Sequence, residues 1–147
     1  MPAASSPKLP RTWRPLGPRI VGAAVTVMLI AVVAVGWFSF DDATRAKFTG
    51  FQIGTLTFFG FIYLGLMFTL LRSRAVAYDD RLVVVNGFRR RELEWPQIVA
   101  ARLPPGAPWV TLDLADGEIC SVMGIQASDG LHARRALQEL KALVAAA

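Results

Sequence analysis

Residues 20–71 read IVGAAVTVMLIAVVAVGWFSF, DDATRAKFT, GFQIGTLTFFGFIYLGLMFTLL, and this stretch decides the fold. Its outer parts, Ile20–Phe40 and Gly50–Leu71, contain no Asp, Glu, Lys, Arg or His from end to end. A helix rises about 1.5 Å per residue, so about 20 residues match the roughly 30 Å hydrocarbon layer of a bilayer. In that layer a helix satisfies its own backbone hydrogen bonds. Only the short link Asp41–Thr49 separates the two segments, which predicts an antiparallel transmembrane hairpin. Two helices apolar on every side would need far more polar chain around them in a soluble fold than this sequence has. A cleaved signal peptide fits poorly too: the first apolar run is too long, and Trp37–Asp41 offers no small-residue cleavage site. Trp37, Phe38 and Phe40 sit at one end of the first segment, where aromatic rings favour the membrane interface.

The composition of the 147 residues agrees, with 54% hydrophobic and 18% charged. An ordinary soluble domain carries roughly 25% charged residues, so that class and intrinsic disorder are both excluded. Direction comes from the cations. The segment before Ile20 holds Lys8, Arg11, Arg14 and Arg19 with no acid, the link balances Asp41 and Asp42 against Arg45 and Lys47, and Arg72, Arg74 and Arg81 follow the second segment. The positive-inside bias places both termini on the cytoplasmic side of the membrane and the short link outside. Of the net +5, the leading segment supplies +4 and residues 72–102 supply +3, while residues 103–147 carry −2. Pro2, Pro7, Pro10, Pro15 and Pro18 make residues 1–19 read as a flexible basic arm lying near anionic lipid. Gly50 and Gly54 have GxxxG spacing, a candidate face for helix packing and oligomerisation.

Residues 72–147 have a different texture. Ala75–Tyr78, Arg81–Asn86 and Phe88–Leu93 are short β-prone runs, and Trp95-Pro96-Gln97-Ile98 interrupts them before Val99–Leu103. Trp109–Leu114 alternates with period two, putting Val110, Leu112 and Leu114 on one face. Asp116-Gly117 is a hairpin signal of the type I′ kind, with Glu118–Met123 returning. Six or seven short strands imply a small antiparallel sandwich or barrel. Ser128 then reads as an N-cap and Asp129 as a first-turn acid of a terminal helix. Its stripe is Ala133, Ala136, Leu137, Leu140 and Val144, with His132, Arg135, Glu139 and Lys141 opposite and Arg135 and Glu139 spaced as an ion pair. The fold class is therefore an α+β membrane protein: a two-helix hairpin, then a small β-sandwich or barrel capped by a C-terminal amphipathic helix.

The order of short strands, W-P-x-I break, D-G turn and terminal helix resembles the bacterial pleckstrin-homology-like (PH-like) domains. It is most similar to the actinobacterial group named after low-molecular-weight protein antigen 6. The stretch that carries the resemblance runs DRLVVVNGFRRRELEWPQI from Asp80 to Ile98. The resemblance implies two packed sheets closed by the helix, and no catalytic residues.

The available chemistry points the same way. His132 is placed on a polar helix face, and Cys120 in a strand reads as a small buried thiol with no base beside it. Asp113, Asp116 and Glu118 surround a tight turn without metal-site spacing, and no phosphate loop or hydrolase motif exists. The sequence thus calls for no enzyme, cofactor or metal. Five acids against three bases in residues 103–147 argue against nucleic acid. The sharpest polar feature is Arg89-Arg90-Arg91. Strand alternation puts Arg89 and Arg91 on one face, which with Arg72 and Arg74 makes a candidate anionic-lipid contact, although Glu92 and Glu94 stand ready as partners. The expected function is a membrane-anchored module that binds a protein partner or scaffolds a complex. The alternatives are an anionic-lipid sensor and an accessory subunit of a transporter or envelope-synthesis enzyme.

Overall fold

The computed structural model describes residues 7–147. The elements are β1 (Arg11–Trp13), α1 (Gly17–Ser39), α2 (Asp42–Arg45), α3 (Gly50–Arg72), β2 (Arg74–Ala77), β3 (Arg81–Asn86), β4 (Arg89–Glu94), β5 (Ile98–Arg102), β6 (Trp109–Leu114), β7 (Ile119–Gln126) and α4 (Leu131–Ala146). The strands form two antiparallel sheets, β1-β2-β3-β4 and β5-β6-β7. Two long apolar helices, then two sheets and a terminal helix: the expected fold class holds.

Between the sheets the period-two pattern buries Ala75, Ala77, Leu82, Val84 and Leu93 against Val110, Leu112 and Val122. Helix α4 closes this core with Ala133, Ala136 and Leu140, all buried as the stripe predicts. Gly124 of β7 lets the two sheets meet at a corner: a Cβ there would lie 2.7 Å from the backbone nitrogen of Ala75. Only Ser73 separates α3 from β2, and it is buried. Its hydroxyl donates to the Thr69 carbonyl at 3.1 Å and accepts the Gly87 N–H at 3.1 Å, fastening the β3–β4 turn to the end of α3.

Four sequence readings need correction. Residues 1–19 are not simply a flexible arm. Residues 1–6 lie outside the described residues, but Arg11–Trp13 forms β1, paired Arg11↔Ala77 to Trp13↔Ala75. Trp13 is 3% exposed and belongs to the core. The prolines lie on either side of this short edge strand, where no ladder bond is lost. Helix α1 begins at Gly17, ahead of the charge-free run, because Pro18 is tolerated in a first turn whose N–H groups have no helical partner.

Second, Ser128 is not the cap of α4; it lies in a short 3₁₀ turn, and α4 starts after Gly130, whose φ is +56°. Asp129 instead serves another helix. Its carboxylate accepts the N–H groups of Leu16 at 2.9 Å and Gly17 at 2.6 Å, satisfying the N-terminus of α1. Third, Glu139 does not pair with Arg135. It binds Arg11 through both oxygens, at 2.9 and 3.0 Å, and accepts the Trp13 indole N–H at 2.9 Å. A bidentate partner on the docked strand displaces a solvent-facing neighbour on the same helix. Fourth, the β6–β7 connection is no type I′ turn. Ala115–Gly117 forms the loop, with positive φ at Gly117 alone among its residues, the pattern of a type I turn ending in a glycine bulge.

Helices α1 and α3 touch at the end nearest the β domain, where Gly22 lies against Met67 and the Thr26 and Tyr63 hydroxyls share a hydrogen bond of 2.8 Å. Toward the link they diverge around an apolar cleft of about 630 Å³. A Cβ on Gly50 or Gly54 would meet nothing else in the chain, so the GxxxG pair takes no part in packing within it. The link itself is built: Asp41 caps α2 through Thr44, whose hydrogen bonds hold the Asp41 carboxyl below its ordinary range. The Arg45 guanidinium donates to the Trp37 and Phe38 carbonyls at the end of α1.

Candidate functional site

The residues singled out in the sequence fall into two places. Along β4, Arg89 and Arg91 alternate with Arg90 as expected, but their face is the one that carries buried Leu93 toward the core. At the rim of the sandwich Arg91 therefore meets Glu118 of the β6–β7 turn, at 2.6 Å. That bond raises the Arg91 guanidinium pKa, and its charge is answered within the domain. Arg89 lines a separate, largely apolar cleft beside Thr69 and Leu70 of α3. Neither lies with Arg72 and Arg74.

The arginine that does is Arg90. Register pairs Arg74 with Val85 and Val85 with Arg90, so these three side chains form one row across β2, β3 and β4 on the outer face of the sheet. Strands are spaced about 4.8 Å apart, so the two arginine stems flank Val85. Arg72 stands at the C-terminal end of α3 beside this row. Together Arg72, Arg74 and Arg90 rim a cleft of about 100 Å³ whose lining holds no carboxylate. Its floor is Val83 and Val85, each 5% exposed although they face away from the core. The arginine stems flank Val85, while Val83 lies in the next row between Val76 and Glu92. Among the described residues Arg72 and Arg74 have no acidic partner, while Arg90 pairs with Glu92.

Phe88 closes one wall of the cleft. It is the second residue of a two-residue turn in which Gly87, at φ +61°, takes the position a type II′ turn reserves for glycine. Phe88 is 74% exposed, and its ring lies 6.1 Å from that of Phe68 on α3. The Arg72 guanidinium lies over the Phe68 ring as well, 6.0 Å from its centre. Sequence reasoning missed Arg90 and Phe88. Alternation alone separated Arg90 from its neighbours; the pairing Arg74–Val85–Arg90 needs register, which no single strand reveals.

The remaining candidates stand apart. His132 is exposed at the start of α4, and Cys120 is buried in β7, where burial raises its thiol pKa. Asp113 pairs with Arg102 at 2.8 Å, and Asp116 accepts the Glu118 N–H across the turn, so these acids serve the fold.

Two antiparallel sheets closed by a C-terminal helix define a PH-like domain, and comparison with known sequences places it. Residues 72–142 match the bacterial PH domain family, so this part of the chain is similar to it. The chain is also 28% identical over 133 residues, 90% of its length and 84% of theirs, to mycobacterial proteins described as uncharacterized. These are Rv1417 of Mycobacterium tuberculosis and Mb1452 of Mycobacterium bovis. The similarity extends beyond the domain into the apolar helices, since residues 72–142 could account for only about half of it. No solved structure matches the chain.

Proposed function

We propose that the chain is a non-enzymatic PH-like module, held by a two-span hairpin at the cytoplasmic face of a bacterial membrane, where it docks a protein partner and scaffolds a complex. The observation that carries this reading is the double fastening of the domain. Strand β1 leads into α1 through an N-terminus closed by Asp129, and α3 runs into β2 through buried Ser73. A domain that only needed local concentration would serve as well on a flexible tether. Two fixed connections favour presentation of one face in one orientation. The lengths of α1 and α3, 23 residues each, suit a bilayer, and Arg14, Arg19, Arg72 and Arg74 gather at the same end of the hairpin, as cytoplasmic cations do.

Photo-crosslinking from positions across residues 75–147 in native membranes, with mass-spectrometric identification, tests the reading. One recurrent protein adduct that survives replacement of α1 and α3 by foreign helices supports docking by the domain. An adduct lost on that replacement favours an accessory subunit that assembles through its spans. Adducts of the chain with itself alone overturn the proposal. Placement is checked separately by carbonate extraction and a C-terminal reporter, expected to resist extraction and to report cytoplasm.

A further inference from the structure

We propose that the Arg72, Arg74 and Arg90 cleft is a binding site for a phosphate group of a membrane lipid, with Phe88 inserted into the leaflet beside it. The inference rests on the membrane-held reading and adds a ligand to it. Depth is the first argument. Arg72 is the last residue of α3, and Phe68, one turn earlier, lies about 6 Å further along the helix axis. Because the Phe88 ring lies within 6.1 Å of Phe68, the β3–β4 turn reaches the level of the last turn of that helix. A 74%-exposed phenyl ring there faces the boundary of the hydrocarbon, the depth at which aromatic side chains collect. The guanidiniums then lie in the layer of lipid phosphates.

Charge is the second argument. Arg72 and Arg74 are unpaired among the described residues, and Arg90 shares its charge with Glu92. The rim therefore carries close to two net positive charges around a cleft without a lining acid. The two cations left without a carboxylate among the described residues of the cleft are Arg72 and Arg74, and an anion in the cleft meets both. Guanidinium forks bind phosphate oxygens in pairs, and a doubly charged phosphomonoester balances this rim. Size is the third. The cleft of about 100 Å³ between the three arginines has room for one tetrahedral oxyanion. The ligand class is a phosphomonoester, and depth selects its lipid form over a soluble one.

The test uses the full chain in mild detergent with native mass spectrometry of retained lipid. Phosphatidic acid, which carries a phosphomonoester, is compared with phosphatidylglycerol and phosphatidylcholine. Inorganic phosphate and glycerol phosphate are titrated calorimetrically in parallel. Phosphatidic acid should be retained above the others, and Arg74→Gln or Arg90→Gln should lower retention about tenfold each, the loss of one charge-assisted pair. Arg134→Gln, on exposed α4, should change nothing. Phe88→Ala should weaken lipid retention without altering titration by soluble phosphate. Soluble phosphate bound as tightly as phosphatidic acid, with the same arginine dependence, overturns the lipid source while keeping the phosphate chemistry. Equal retention of all three lipids, or retention indifferent to both arginine variants, overturns the site. Arg90→Lys, which keeps charge and fold but loses the fork, should fall between the parent and Arg90→Gln. If the chain resists carbonate extraction and yet fails these arms, the site falls alone and the membrane placement stands.

Discussion

Asp129 and Gly17, far apart in the chain, meet at 2.6 Å: a carboxylate before the terminal helix accepts an N–H group at the start of the first. The contact is tight enough that a Cβ on Gly17 would lie 2.8 Å from the same oxygen. Asp129→Ala should destabilise the chain by about 1 kcal/mol, within the roughly 0.5–2 kcal/mol span of N-cap losses. In a chain of this size that corresponds to a melting point lower by about 3 °C, read by thermal unfolding in mild detergent. Asp129→Asn, which keeps acceptor oxygen at the same place, should recover most of it. An unchanged melting point for Asp129→Ala would show that the contact carries no stability.

Trp13 distinguishes a docked strand from a loose arm. Trp13→Ala removes a core indole and its hydrogen bond to Glu139, and should cost about 3–5 kcal/mol in chemical denaturation. Trp13→Phe retains most of the packing and should cost less. A loose arm would leave both variants at parental stability.

Gly124→Ala places a methyl group against the backbone of Arg74 and Ala75, which has no side-chain rotamer to yield. Overpacking of this kind costs about 1–3 kcal/mol. The control is Gly106→Ala in the loop before β6: nothing lies near its Cβ, but its φ of +82° adds strain. The two variants separate crowding from conformation: only Gly124→Ala should also alter the near-ultraviolet spectrum of the core.

Cys120 should resist alkylation at neutral pH. Burial raises its pKa, so less thiolate exists in the folded chain than in the unfolded one. The sign follows for stability: a raised folded pKa favours the fold below the unfolded thiol pKa. That contribution is lost as pH rises through the folded value. Labelling with iodoacetamide should therefore be slower in the native chain than in denaturant and rise on the alkaline side, with stability falling there. Equal rates in both states at neutral pH would contradict a buried thiol.

Much of this architecture is legible in the sequence because it rests on local patterns. Long charge-free runs mark α1 and α3, and alternation in Trp109–Leu114 marks a strand with one buried face. What escaped are contacts between distant parts of the chain. Arg11–Trp13 is too short to show periodicity, and its strand exists because β2 offers an open edge and Glu139 a partner. Asp129 reads as an acid in the first turn of its own helix, since nothing local indicates that it points to Gly17. The candidate site failed for the same reason. Alternation correctly grouped Arg89 with Arg91, yet only the pairing of three strands brings Arg90 beside Arg74.

Ser73 has a further consequence. With one buried residue between α3 and β2, the domain cannot swing about the end of α3 as a module on a flexible tether does. In a bilayer it moves only as the hairpin moves, by lateral diffusion and rotation about the membrane normal. On the proposed membrane placement, its search for a partner would be confined to a plane, and whatever recognised its outer face would itself have to come to the membrane surface.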